Sequence, residues 1–189
     1  MQKNLNLSVV LYPFTDIPSG DEILVDYMNW DGEFDQKTIL QQKFNFTCTC
    51  PSCSRTIEER NRSAERVRQY LQFVEDYPNQ LPRTPSLKSL LLRLQQMTLL
   101  ACSEGREHDV GAWCYDAFQL CAYYGDGDAA KQWAAAYRDA NILRRGSESE
   151  GAQKGALLAA DPTQWRAWGQ LGRRKLIGPV SRIFSVKSN

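Results

Sequence analysis

The hydrophobic pattern of this chain of 189 residues changes at Cys53. Before Cys53, short apolar runs alternate with turn residues, which is typical of strands. Beyond it, apolar residues recur every three or four positions, the period of an amphipathic helix. The near-average composition argues against a disordered, collagen-like or coiled-coil chain. The hydrophobic pattern predicts an α+β protein that is predominantly α, with a small β segment at 1–54 followed by a helical domain at 55–189.

The β segment is expected to hold two strands, at 5–11 and 23–27. Both are rich in Leu, Ile and Val, and the turn residues Pro18, Ser19 and Gly20 lie between them. Asp35 is placed to cap a short helix at 36–43. This small unit then leads directly into a cluster of cysteines.

The helical domain is expected to contain at least four consecutive amphipathic helices. The first is predicted at 56–76, with a stop near Pro78, and the second begins after an N-cap at Thr84 followed by Pro85. The third is predicted at 108–124, and the fourth begins at Asp128. Small alanine faces alternate with large aromatic residues, and short turns such as 125–127 join the helices. These features indicate helical hairpins of the tetratricopeptide (TPR) type, and we therefore expect a TPR-like helical array.

Two further predictions concern the C-terminal third. Residues 147–154 are polar and contain glycine, which predicts a loop. A last helix is predicted from Asp161 through Leu171. No acidic residue follows Asp161, so the tail is basic.

Composition narrows the class of protein. Apolar residues make up 42% and charged residues 24% of the chain, as in globular proteins. No apolar run reaches the roughly 18 to 20 residues of a membrane helix, and no signal-peptide core follows Met1. We therefore expect an intracellular protein of the nucleus, the cytoplasm or both, with no membrane partner.

The charge is unevenly distributed. Residues 1–54 contain three Lys or Arg against seven Asp or Glu, whereas 55–189 contain 20 against 15. The basic tail could attract nucleic acid or an acidic partner. However, its charges are not interleaved with aromatic residues, as single-strand binding requires, which argues against nucleic acid.

Cys48, Cys50 and Cys53 carry the strongest chemical signal. Thiolates at i, i+2 and i+5 can converge on one soft cation, and Zn²⁺ is the usual one. Structural zinc takes four ligands, and the sequence shows no fourth cysteine nearby. The fourth ligand would come from elsewhere in the fold or from outside this sequence. The alternative is three unliganded cysteines in a loop.

The remaining candidates are weaker. Cys114 and Cys121 lie seven residues apart in a predicted helix and are expected to be buried as small apolar side chains. The one histidine, His108, stands at a predicted helix start, far from the three clustered cysteines.

The order of motifs in the first 54 residues resembles the C-terminal end of a SET domain and its post-SET zinc motif. A turn and strand are followed by a helix that carries Leu40, and then by a cysteine motif. The residues concerned are Gly20-Asp21-Glu22-Ile23-Leu24-Val25-Asp26-Tyr27 and Phe44-x-Phe46-x-Cys48-x-Cys50-x-x-Cys53. A TPR-like domain after this segment resembles SET proteins of the SMYD type and their fungal relatives.

This resemblance implies transfer of a methyl group from S-adenosylmethionine to a protein lysine, of a histone or of another protein, and a role in chromatin. Tyr27 matches the catalytic tyrosine, whose hydroxyl would orient the lysine amine. Phe46 matches the aromatic residue that packs on the adenine of the cofactor, and Cys48, Cys50 and Cys53 match three zinc ligands. Without the resemblance, Tyr27 would be an ordinary strand aromatic and Phe46 an ordinary core residue.

The sequence also departs from the SET pattern. It has no Gly-x-Gly cofactor segment before the turn, no Asn-His-Ser/Cys motif and no MYND module, and its Gly125-x-Gly127 lies between predicted helices. We therefore expect a C-terminal fragment of a SET protein that is inactive alone. The alternative is a non-enzymatic interaction module, in which the helices bind a peptide.

Overall fold

The computed structural model describes residues 13, 16–25, 27, 36–80 and 86–180. Within these ranges the chain is predominantly helical, and six α-helices follow one another. They are α1 (Gln36–Phe44), α2 (Ile57–Gln80), α3 (Leu87–Ser103), α4 (Gly111–Tyr123), α5 (Gly127–Arg145) and α6 (Glu150–Ala160). Short 3-10 helices occupy Glu107–Asp109 and Pro162–Gln164. The predicted helical domain is therefore confirmed as an array in chain order.

Polar side chains cap the starts of four of these helices. Thr56 and Glu59 form a reciprocal capping box before α2, in which each side chain accepts the other's backbone N–H. Ser86, Asp126 and Ser149 accept backbone N–H groups in the first turns of α3, α5 and α6. Each cap satisfies a donor that a helix start would otherwise leave unpaired.

Aromatic and small side chains form the core of the array. The Trp113 ring meets Phe73 at 5.1 Å and Tyr77 at 4.8 Å between ring centroids, which joins α4 to α2. Trp133, Phe118 and other large side chains are fully buried. The expectation for Cys114 and Cys121 is confirmed, because both are fully buried in α4.

Two predictions about the helices were wrong, the first of them only in part. Of residues 147–154, predicted as a loop, only 147–149 form a turn; the rest belong to α6, because Ser149 caps this helix and the alanines that follow favour it. The helix predicted at 161–171 is a 3-10 helix followed by turns, in which Gly169 has a positive φ of 68°. The N-cap of α3 is Ser86, and the predicted cap at Thr84-Pro85 lies outside the described residues.

The predicted strands receive no support from the described residues. The first, 5–11, lies outside them, as does Asp26 of the second. Residues 23–25 form no strand, and their three side chains are 60% to 70% exposed. A strand needs a partner to satisfy its backbone groups, and no partner is present among the described residues.

Helices α5 and α6 approach each other closely at Gly155. A Cβ added at Gly155 would lie 2.8 Å from backbone atoms of Arg138, so the glycine lets the two helices meet. Inside a helix, Gly→Ala usually stabilises by about 1 kcal/mol. Here we expect Gly155→Ala to lower the free energy of unfolding by about 1 to 2 kcal/mol, because the helices must separate.

Urea denaturation followed by circular dichroism measures this change, with Gly111→Ala as the matched control. At Gly111 an added Cβ would come no closer than 3.4 Å to its neighbours. We expect that control to stay within about 0.5 kcal/mol of the unsubstituted chain. A gain in stability for Gly155→Ala would show that α5 and α6 pack less closely than described.

Candidate metal centre and adjoining aromatic cluster

A tight turn after α1 brings three thiols together. The Sγ atoms of Cys48, Cys50 and Cys53 all lie within 4.8 Å of one another. The N–H of Cys53 donates to Cys50 Sγ at 3.4 Å, and the N–H of Ser54 donates to the Cys50 carbonyl at 2.9 Å. These bonds fold the backbone around the sulfurs, so the predicted convergence of the three cysteines is present in the structure.

The spacing of the sulfurs suits a tetrahedral ion. Zinc–sulfur bonds of about 2.3 Å place sulfurs about 3.8 Å apart around one zinc. The Sγ atoms here need to approach by roughly 1 Å or less to reach that distance. Cys53 is buried and the other two cysteines are half-buried, so an ion would be partly shielded from water.

Two of the thiols, those of Cys50 and Cys53, differ in their pKa. Burial raises the pKa of the Cys53 thiol to about 12, helped by its hydrogen bonds to Cys48 and Cys50. At Cys50 burial also acts to raise the pKa, but hydrogen bonds led by that from the Cys53 N–H outweigh it and hold the pKa below its usual value. Cys50 is therefore the better thiolate of this pair.

No fourth ligand completes the group among the described residues. No other His, Cys, Asp or Glu side chain there joins the three thiols in a candidate metal group. Cys102, Cys114 and Cys121 lie in α3 and α4, and His108 lies in the 3-10 helix before α4. Three protein ligands with one open position are typical of accessible zinc sites, whereas closed structural sites have four.

Tyr27 and Phe46 lie side by side next to this turn. Their ring centroids are 5.2 Å apart, and the Tyr27 ring also meets Phe44 edge-on at 5.4 Å. Asn45, at a positive φ of 56°, ends α1 and reverses the chain, so Phe44 and Phe46 both reach Tyr27. The structure thus brings together the two residues to which the resemblance to SET domains gives roles in catalysis and cofactor binding.

The Tyr27 ring is open to solvent, whereas Phe46 is half-buried. Tyr27 is 54% exposed, so its hydroxyl is accessible to a ligand. The side chain of Gln41 steadies the turn between the two phenylalanines, because it accepts from Thr47 Oγ1 at 2.9 Å and donates to Asn45 Oδ1 at 3.3 Å. The contact of Phe44 with Tyr27 was not predicted, although its position two residues before Phe46 signals the same face.

Glu104 joins the cysteine turn to the helical array. Its side chain is only 1% exposed and accepts hydrogen bonds from Arg55, Ser63 and Arg66. Arg55 follows Cys53 by two residues and also donates to Ser63 Oγ at 3.0 Å. The turn is thereby fixed against α2 and the end of α3. No local sequence pattern predicts this link, because the partners are 38 to 49 residues apart.

No family model, no curated protein and no solved structure matches this chain. The resemblance to SET proteins accordingly depends on the motifs of residues 17–53. None of the described helices combines the length and apolar character needed to cross a bilayer.

Proposed function

We propose that residues 17–53 form part of the active site of a SET-type protein-lysine methyltransferase that uses S-adenosylmethionine and zinc. The observation that supports this most is the contact of the Tyr27 and Phe46 rings, 5.2 Å apart, beside the three converging thiols. A phenol, an aromatic face and a metal-ligand turn are the three elements that the resemblance assigns to this region. In this proposal the array is TPR-like and holds the substrate protein or a partner.

The residues present suit part of such a site. The methyl donor, when bound, supplies an electrophilic methyl group on a sulfonium centre. Phe46 offers a partly open ring on which a flat base can stack, and the Tyr27 hydroxyl can accept or donate one hydrogen bond to orient an amine. The cysteine turn, once it holds zinc, would fix Phe46, which lies only two residues before Cys48.

Saturation-transfer NMR with S-adenosylhomocysteine tests the proposal on the zinc-loaded chain. This method detects the weak binding expected of a partial site. We expect saturation of the adenine protons, reduced at least fivefold in Phe46→Ala, because stacking on an aromatic side chain contributes about 1 to 3 kcal/mol per base.

Phe44→Ala is the matched control for this experiment. Phe44 touches Tyr27 as Phe46 does, but it lies at the end of α1 and is 47% exposed. Saturation transfer should persist in that variant. Equal losses in the two variants, or no saturation transfer at all to the zinc-loaded chain, would contradict the proposal and favour the alternative of a non-enzymatic interaction module.

A further inference from the structure

The segment at 171–180 crosses the helical array in an extended form. It has no helix or strand, and it follows the turns after the Pro162–Gln164 helix. We call residues 171–180 the strap. It runs past the end of α4, the start of α5 and one side of α3, and all of these elements supply polar groups to it.

Most of the hydrogen bonds to the strap go to its main chain. The N–H groups of Leu171 and Arg174 each donate at 3.0 Å to carbonyls at the end of α4, those of Tyr123 and Tyr124. The N–H of Leu176 donates to Asp126 Oδ2 at 2.6 Å. The strap is thus anchored through three of its backbone N–H groups.

Two side chains of the array hold the carbonyls of the strap. Trp133 Nε1 donates to the Ile177 carbonyl at 2.9 Å, and Gln95 Nε2 donates to the Gly178 carbonyl at 3.2 Å. Trp133 is fully buried, so its indole N–H needs an acceptor at this position. Asp126 is likewise buried and also caps α5. These groups are preset by the fold and bind backbone atoms that any extended chain possesses.

The charge and shape of the surface under the strap determine which side chains a bound segment can carry. Lys175 pairs with Asp128 at 2.8 Å and with Asp126 at 3.6 Å, which favours a basic residue there. Leu176, which follows, packs against the core of the array. A cavity of about 340 Å³ remains between the strap and the start of α3, and Leu87 and Leu91 contribute to its lining. We call the surface of the array under the strap the groove; its residues include Gln95, Asp126, Trp133, Leu87 and Leu91. The strap leaves part of its apolar surface unfilled.

We propose that this groove is a peptide-binding site that the strap occupies in cis. Its partner in trans is an extended peptide with a basic residue directly before two aliphatic residues, and such a peptide must displace the strap. A ligand held mainly through its main chain can be replaced by another chain of the same form. A tethered segment competes at an effective concentration in the millimolar range, so it weakens binding in trans. This site is independent of the methyltransferase assignment.

Fluorescence anisotropy with a labelled synthetic peptide of residues 171–180 tests the proposal on the full chain. Lys175→Glu in the protein places a carboxylate against Asp126 and Asp128, which loosens the strap without touching the groove. The Lys175 side chain is 73% exposed, so the array should still fold. We expect the peptide to bind this variant at least tenfold more tightly than the unsubstituted chain.

Two matched controls separate the groove from general charge effects. Lys43→Glu makes the same change of charge on exposed α1, and it should leave the affinity unchanged. Adding Gln95→Ala to Lys175→Glu removes the bond to the Gly178 carbonyl, and we expect it to weaken peptide binding at least threefold. An equal gain for Lys43→Glu, or no gain for Lys175→Glu, would overturn the proposal.

Hydrogen exchange of the unsubstituted chain gives a second measurement. Excess peptide should speed exchange of the Leu176 amide, because displacement breaks its bond to Asp126. A peptide with the same residues in scrambled order should have a smaller effect. Exchange that is unchanged by the peptide would show that the strap is a permanent part of the core, and it would also overturn the proposal.

Discussion

The chain is expected to bind one zinc ion, and Cys50→Ser is expected to reduce that stoichiometry nearly to zero. Three thiolates within 4.8 Å of one another provide most of a tetrahedral shell. Cys50 accepts the N–H of Cys53, a bond that orients the sulfur and lowers its pKa. Losing this ligand leaves two thiols, too few to hold zinc tightly against a chelator.

Metal analysis after dialysis, together with cobalt substitution, measures this result. Cobalt bound by several thiolates gives an intense charge-transfer absorption, which should appear in the unsubstituted chain and be absent in Cys50→Ser. Cys102→Ser is the control, since this half-buried cysteine lies in α3 away from the turn. A chain that binds no metal, or a Cys50→Ser variant that binds as well as the control, would refute the metal site.

Local sequence patterns predicted the elements that are stabilised locally. The stripe of Leu90, Leu91 and Leu94 predicted the buried face of α3, because helical periodicity survives tertiary packing. The convergence of the three cysteines followed from their spacing, since a tight turn over six residues can point all three thiols inward. Residues 150–154 were wrongly included in the predicted loop because their polar composition was weighed more heavily than the cap that Ser149 provides to α6.

Local sequence patterns could not predict features that depend on contacts between residues far apart in the sequence. Asp126 appears in the sequence only as a turn residue, yet it caps α5 and holds the strap 50 residues away. The basic tail was interpreted from charge alone, whereas Lys175 pairs with Asp126 and Asp128. The run at 23–25 has the composition of a strand, but its side chains are exposed, because strand formation depends on pairing that local composition does not determine.

Glu104→Ala is expected to lower the free energy of unfolding by about 3 kcal/mol. The carboxylate is almost fully buried, and the substitution leaves Arg55, Ser63 and Arg66 without their common acceptor. Ser63 is 1% exposed and cannot recover that bond from water. The two arginines are 35% and 41% exposed and regain part of their hydration, which keeps the loss near the lower end of the range for buried ion pairs.

Urea denaturation measures this loss, and Glu58→Ala is the matched control because the Glu58–Arg62 pair is exposed on α2. That substitution should cost less than about 0.5 kcal/mol. Since Arg55 lies two residues after Cys53, Glu104→Ala should also release the cysteine turn and weaken cobalt binding, although no metal ligand has changed. Equal losses of stability in the two variants would show that Glu104 does not tie the turn to the array. Unchanged cobalt affinity would show that the turn holds its shape without that tie.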